Sequence, residues 1–292
     1  DIRAPERCPG SLLQTATLFR NMPLPDEFVT IDDEGRRYGG DVRIGDLSGN
    51  GLVDFLVYKS LGGMKPCFLG AFDLDGEPMW SVGDPRLTVA DADGDDLLRT
   101  TSPDRPGPVA ICDLDGDGES EVLCLLVDFD VEQASKWDLG GVRLALMDGA
   151  TGHLRKQVAP EELRRCNALV GGEREVPNYV HQRLVIANFS GDAKTRDFVV
   201  KVGDTLLAFN CELKLLWSYT NPWNHYPRHS AYIPAVGDLD GDGRDEVIGG
   251  HFGLDHDGST LWENYLGDNM DSVVAVPWTG ADNGAQQAAL SA

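Results

Sequence analysis

The stretch V-G-D-L-D-G-D-G-R-D-E-V, from Val236 to Val247, sets Asp238, Asp240, Asp242 and Glu246 at positions 1, 3, 5 and 9 of a glycine-rich loop. The spacing returns at Asp113, Asp115, Asp117 and Glu121, and with milder oxygen ligands at Asp46, Ser48, Asn50 and Asp54. A fourth copy, Asn188 to Phe198, carries one extra residue before Asp197 and lacks the second glycine. A partial fifth begins at Asp91 without the strand that should follow. A motif that recurs every few dozen residues marks stacked or radially arranged units, each too small to bury its apolar face alone.

Each full copy has the same surroundings. A short apolar stretch precedes the loop (P-V-A-I-C, R-L-V-I-A, I-P-A-V-G), and β-branched or aromatic residues follow it (D-F-L-V-Y, E-V-L-C-L-L-V, D-F-V-V-K-V, E-V-I-G-G). These read as two strands around a tight loop. A second turn recurs farther on, with Trp80, Trp217 and Trp262 each seven residues after Asp73, Asn210 and Asp255; the copy at Asp148 keeps the turn and lacks the Trp. The unit is strand, acidic loop, strand, strand, turn, strand, closing on an aromatic that packs between neighbours.

That unit is a four-stranded propeller blade. The spacing predicts an all-β chain, a β-propeller whose clearest repeats cover residues 41–80, 108–157, 180–219 and 230–265. Residues 1–292 are read as one propeller domain of six to eight blades. Four clear units, with one more around F-V-T-I-D-D-E-G-R-R-Y, fall short of that number, so diverged blades or an incomplete chain are expected. Helical periodicity is confined to A-P-E-E-L-R-R-C-N-A-L near Ala159, and the ending G-A-D-N-G-A-Q-Q-A-A-L-S-A reads as an interrupted chain or a tail rather than a capped strand.

Oxygens at positions 1, 3 and 5 of a loop turned by glycine, with a carboxylate at 9, can converge on one hard cation at about 2.3–2.6 Å, which suits Ca²⁺. The alternative is an Asx-rich turn whose side chains cap their own backbone amides. Two full copies before the same kind of strand favour calcium at Asp238, Asp240, Asp242 and Glu246 and at Asp113, Asp115, Asp117 and Glu121, with Asp46, Ser48, Asn50 and Asp54 as a third site. The Asn188 copy, with its insertion and Lys194, reads as a metal-free relic held by hydrogen bonds. Flanking strands and a terminal acid at position 9 rather than 12 separate the loop from an EF-hand.

The charge balance agrees with cationic guests. With 25 Lys and Arg against 48 Asp and Glu, the net charge is −23, and such a surface repels phosphate backbones and anionic headgroups, so neither nucleic acid nor membrane insertion is expected. No apolar run approaches the ~20 residues of a membrane span. The six cysteines are scattered without a C-x-x-C pair, against a thiolate zinc site; Cys67, Cys112 and Cys124 read as small buried hydrophobes.

The sequence G-D-L-D-G-D-G-R-D-E-V-I-G-G, followed by L-D-H-D-G-S-T-L-W, resembles the calcium-binding blade repeats of rhamnogalacturonan lyases and related polysaccharide lyase propellers. More loosely it is similar to the FG-GAP/VCBS-type blades of secreted adhesion proteins. The resemblance runs over about Asp41 to Val276 and is most specific from Tyr179 to Val276. It implies a secreted or periplasmic propeller with bound Ca²⁺ that acts on a glycan, cleaving a uronate-containing, rhamnose-rich polysaccharide by β-elimination. The alternative is a non-catalytic carbohydrate-binding or adhesion propeller, or a purely structural interaction module.

Elimination needs a base, a carboxylate clamp and an acid. Two segments concentrate such groups, N-Y-V-H-Q-R with His181 and Arg183, and N-P-W-N-H-Y-P-R-H-S-A-Y with Trp223, His225, Tyr226, Arg228, His229 and Tyr232. Both precede the first strand of a blade, and five of the six His lie between His181 and His256. His229 or His251 is assigned the base, Tyr232 the acid and Arg183 the clamp, with His181 beside it. Trp223 and Tyr226 are expected to stack on sugar faces next to His225 and Arg228, and Gly249 and Gly250 to leave room for ligand beside His251. Taken singly, each of these has an ordinary reading: exposed loop histidines, an Arg paired with a surplus carboxylate, a Tyr wedged between blades. The chain departs from the family in L-G-D-N-M-D-S-V, where Asn269 stands at a place its relatives tend to give to His.

Overall fold

The computed structural model describes residues 30–31, 37–38, 40–61, 65–83, 109–127, 142–163, 183–202, 205–221, 229–230, 234–264, 269–270, 272–276 and 287–291. Within them the chain is nearly all β. β1 (Thr30–Ile31) and β2 (Arg37–Tyr38) pair antiparallel inside the predicted N-terminal unit. The first four-stranded sheet is β3 (Gly40–Gly45), β4 (Asp54–Leu61), β5 (Lys65–Phe72) and β6 (Pro78–Gly83). The second is β7 (Val109–Cys112), β8 (Glu121–Val127), β9 (Val142–Asp148) and β10 (Leu154–Val158). The third is β11 (Arg183–Ala187), β12 (Asp197–Val202), β13 (Thr205–Phe209) and β14 (Leu215–Thr220). β15 (His229–Ser230) precedes the fourth, β16 (Ala235–Gly237), β17 (Glu246–Ile248), β18 (Phe252–Leu254) and β19 (Thr260–Glu263).

Each of these sheets is an antiparallel meander in chain order. Their first strands lie side by side, β3 against β7, β7 against β11 and β11 against β16. Four blades thus follow one another in a propeller-like series, with the acidic loop of every blade joining its first and second strands.

Two shorter ladders follow. β20 (Asn269–Met270) runs parallel to β15, and β21 (Ser272–Val276), beside β16, pairs antiparallel with β22 (Gln287–Ser291). The last pairing corrects the reading of the Ala/Gln-rich ending as a tail. Ala288, Ala289 and Leu290 stand opposite Ala275, Val274 and Val273, so partner residues with high strand propensity carry a segment whose own composition is weak for a strand. Helical backbone at residues 161–163 falls inside the segment read as helix.

Alternation along the strands builds the core. In β8, Val122 and Cys124 face the first sheet with Tyr58, Leu69 and Ala71, while Leu123 and Leu125 face the third with Phe198, Val200 and Phe209. Phe198 and Phe209 stack at 5.5 Å. A second-position strand is therefore buried on both faces, which is why F-V-V in β12 and V-L-C-L-L-V in β8 are apolar without alternation. The fourth strand of a blade is half solvated, so β14 alternates between partly buried and exposed residues. Each Leu or Phe enclosed between blades contributes roughly 1.5–3 kcal/mol. Cys124 is one of these buried side chains, and burial pushes its thiol up to about 12; Cys112 and Cys211 are also free thiols.

Candidate functional site

The acidic loops are held by their own carboxylates. At position 1, Asp238 accepts from the amides of Gly241, Asp242 and Gly243, Asp113 from Gly116 and Gly118, and Asp46 from Asn50 and Gly51. The turns require φ near +70 to +90° at both loop glycines, as at Gly241 (83°) and Gly243 (88°), where a Cβ would be strained. The Asx-turn reading is thus realised with both oxygens of each position 1 carboxylate accepting amides, and a carboxylate oxygen that accepts one amide keeps a second lone pair able to face a cation.

The acid at position 9 does two jobs. Asp54, Glu121, Asp197 and Glu246 open the second strand of their blades and are at most 1% exposed. One oxygen of each accepts amides near the loop start: Leu47 and Ser48 for Asp54, Leu114 for Glu121, Ser190 for Asp197, Leu239 for Glu246. The second oxygen differs between blades. Asp54 Oδ1, Ser48 Oγ and Glu246 Oε1 are buried with no hydrogen-bond partner among the described residues. A buried carboxylate oxygen in that state is costly unless a cation meets it.

Electrostatics point the same way. Burial, followed by the charges of Asp240, Asp255 and Asp238, pushes Glu246 up to about 7, although the Leu239 amide pulls against this. Glu121 is likewise pushed up to about 7, by burial first and then by Asp115 and Asp117 against the Leu114 amide and Arg155. Ligand atoms of Asp238, Asp240 and Glu246 lie within 4.8 Å of one another, as do those of Asp113, Asp115 and Glu121, so these clusters can hold a metal ion. In loops 46–54 and 238–246 the buried acid oxygen without a partner is what a bound cation would satisfy.

Two groups near these clusters escaped the motif. Ligand atoms of Asp255 and His256 approach Glu246 within 4.8 Å. His256 Nδ1 lies 2.7 Å from Asp255 Oδ1, and Nε2 lies 2.6 Å from an Arg244 nitrogen. The signal was present, since Asp255 is the first residue of the recurring second turn. The other is Arg155, whose guanidinium reaches Glu121 Oε1 at 2.5 Å and Asp148 Oδ2 at 2.9 Å, with Glu119 at 3.5 Å and Asp115 at 3.8 Å.

The fourth loop is tied to its neighbour. Asn188 N donates to Asp245 Oδ2 at 2.7 Å, and Asp245 N donates back to the Asn188 carbonyl at 2.9 Å. Asp192 accepts from the amides of Lys194 and Thr195, which hold its carboxyl below the usual range.

Among the residues assigned to elimination, His181, Trp223, His225, Tyr226, Arg228 and Tyr232 lie outside the described residues. For Arg183 and His229 the backbone is described. Arg183 opens β11, and His229 in β15 stands opposite Asn269 in the parallel ladder with β20. The imidazole-bearing segment and the position where the family pattern calls for His are therefore cross-strand neighbours. His251 lies between β17 and β18 and is 0% exposed, with its carbonyl accepting from Asn264. Burial holds its pKa below the usual histidine value. The expected room for a ligand beside it is filled: a Cβ at Gly249 would meet the Phe252 ring at 2.0 Å. His251 is an interior side chain rather than one lining an open mouth.

No protein-family model matches the chain. Its sequence is 25% identical over 282 residues to a rhamnogalacturonan exolyase (YesX) of Bacillus subtilis, covering 83% of this chain and 43% of that protein. It is 22% identical over 290 residues to the rhamnogalacturonan endolyase YesW of the same organism, covering 85% and 44%. The structure of a Bacillus licheniformis rhamnogalacturonan lyase superposes with a TM-score of 0.65 at 21% identity, over 92% of this chain and 50% of that one. The fold is rhamnogalacturonan-lyase-like, and the chain spans less than half the length of the curated relatives it matches.

Proposed function

We propose that the chain is the propeller of a secreted, calcium-binding polysaccharide lyase that cleaves a uronate-containing, rhamnose-rich polysaccharide by β-elimination. The observation that carries this reading is the similarity to an exolyase over 83% of the chain. Calcium is favoured in loops 46–54 and 238–246 because their position 1, 3, 5 and 9 donors are all oxygens in an adaptable loop, without thiolate or imidazole among them. The ion neutralises a buried carboxylate and fixes the entry to the second strand, which is a structural role. A polymeric substrate of this class is met outside the cytoplasm, in keeping with a secreted or periplasmic protein.

In the reaction a base takes the proton α to the uronate carboxylate, and the C–H electron pair passes into the carboxylate-stabilised anion. That pair then forms the C=C bond as the glycosidic C–O bond breaks and the leaving oxygen gains a proton. His229 is the base, because His251 is enclosed; Arg183 holds the carboxylate, and Tyr232 returns the proton. In a chain of net charge −23, a polyanionic substrate needs such a local group of His and Arg to approach at all.

The test is incubation with rhamnogalacturonan, ulvan and related glucuronate–rhamnose polymers while following the ultraviolet absorbance of unsaturated uronate ends. New absorbance with one of them is expected. Silence over the whole panel, together with saturable glycan binding, would replace the enzyme reading with a carbohydrate-binding propeller.

A further inference from the structure

The two full copies of the acidic loop differ in the residue that the fourth strand of the blade carries at its bulge. In every blade the fourth strand carries a one-residue bulge opposite the end of the third. Its unpaired residue is Met79 in the first blade, Leu216 in the third and Leu261 in the fourth, and in the second it is Arg155. Leu216 and Leu261 are 42% and 48% exposed. The Arg155 side chain instead turns over the acidic loop of its own blade and brings one guanidinium nitrogen between Glu121 Oε1 (2.5 Å) and Asp115 Oδ2 (3.8 Å). Both acids belong to the cluster whose ligand atoms share one 4.8 Å volume. Its other terminal nitrogen is bound to Asp148, the counterpart of Asp255 in the fourth blade.

The consequence shows in the position 9 acids. Glu246 keeps a buried oxygen without a partner and Asp54 does the same, whereas both oxygens of Glu121 are occupied, one by the Leu114 amide and one by Arg155. A guanidinium is always charged, offers a fixed fork of donors and carries a lower hydration cost than an ammonium, so it can stand in for a divalent ion between carboxylates. It also occupies the ligand oxygens that an ion would need.

We propose that Arg155 is the resident cation of the second acidic loop, so that loop 113–121 takes no divalent ion although its motif is complete, while loops 46–54 and 238–246 do. The proposal rests on the calcium reading of those two loops. Loop sequence alone therefore does not determine ion occupancy in this propeller; the bulge residue of the same blade does. Replacing Arg155 by the residue that other blades carry at the bulge turns the second loop into a metal site.

The experiment counts Ca²⁺ per chain by equilibrium dialysis and elemental analysis on the purified chain, stripped with chelator and reloaded. The proteins compared are wild type, Arg155→Leu, Arg155→Met, Asp115→Asn, the Arg155→Leu/Asp115→Asn pair, and Glu246→Gln. One additional ion is expected in Arg155→Leu and Arg155→Met, its loss in the pair, and an unchanged count in Asp115→Asn. An ion lost in Asp115→Asn alone, or no gain in either Arg155 variant with melting confirming that each is folded, overturns the proposal. Glu246→Gln separates the two questions: an unchanged count there overturns the calcium reading of loop 238–246, and the answer for the second loop is still read from the Arg155 and Asp115 variants.

Discussion

The indole N–H of Trp80 donates to the carbonyl of Gly149 at 2.8 Å, one blade onward, and its ring lies against Gly152. Trp217 repeats this with the His256 carbonyl and Gly258. The second blade breaks the series. Lys156 stands opposite Leu146 at the register that Trp holds elsewhere, and its ammonium donates to the Glu212 carbonyl. With no ring to accommodate, the turn it meets has Leu213 where the others have glycine, buried and at φ 57°. The left-handed backbone costs about 1–2 kcal/mol, offset by burying a leucine, about 1.5–3 kcal/mol.

This pairing predicts unequal costs for glycine substitutions of similar φ. A Cβ on Gly152 (φ +68°) would meet the Trp80 ring at 2.5 Å, whereas one on Gly118 (φ +93°) meets nothing within 4 Å. Gly152→Ala therefore adds overpacking of about 1–3 kcal/mol to the backbone penalty, and Gly118→Ala pays the backbone penalty alone. Urea unfolding of both variants should place Gly152→Ala lower; equal midpoints would mean that the Trp80 contact carries no strain.

Removal of metal should lower thermal stability. An ion held at about 100 times its dissociation constant adds about 2.7 kcal/mol, roughly 5–10 °C in Tm for a domain of this size. Chelator is expected to shift wild type by that order per occupied loop, and Glu246→Gln to shrink the shift. Identical melting curves with and without chelator would remove the ion from the account of stability.

Much of this arrangement was legible in the sequence, and the rest was hidden for physical reasons. Strand order, loop position and the packing role of Trp80 and Trp217 follow from a repeat in which glycine, acid and aromatic each have one structural duty. Arg155 was not legible, because its charge meets Glu121 across 34 residues through a bulge that no local pattern marks. His251 looked open because two glycines precede it, yet the space a glycine frees is taken by whichever neighbour is large enough, here Phe252. The strand at Gln287–Ser291 depends on its partner's valines rather than on its own residues.

His251 gives the fold a pH dependence of known sign. Burial lowers its folded pKa below the unfolded value of about 6.5. Above that value imidazole is neutral in both states and the contribution to stability is complete. As pH falls from about 6.5 toward the folded pKa, the unfolded chain gains a proton that the folded one does not, and stability drops by up to about 1.4 kcal/mol per pH unit. The difference in unfolding free energy between wild type and His251→Gln, measured from pH 7.5 to pH 5, should carry this slope. A difference that does not change with pH would show that the enclosed imidazole does not titrate in that window.

The ladder between β15 and β20 bears on the catalytic assignment. His229 and Asn269 are directly opposite in parallel register, so the residue proposed as the base and the position that the family pattern gives to His lie on neighbouring strands. Proton abstraction by a positioned side chain contributes about 10²–10⁴-fold. His229→Ala should therefore lower kcat for elimination by about that factor with little change in Tm, since the strand is held by backbone pairing. Asn269→Ala should act mainly on KM, as expected of a group that positions substrate rather than moves the proton. If His229→Ala retains full turnover on a polymer that wild type cleaves, the base lies elsewhere, and the histidine segment contributes binding alone.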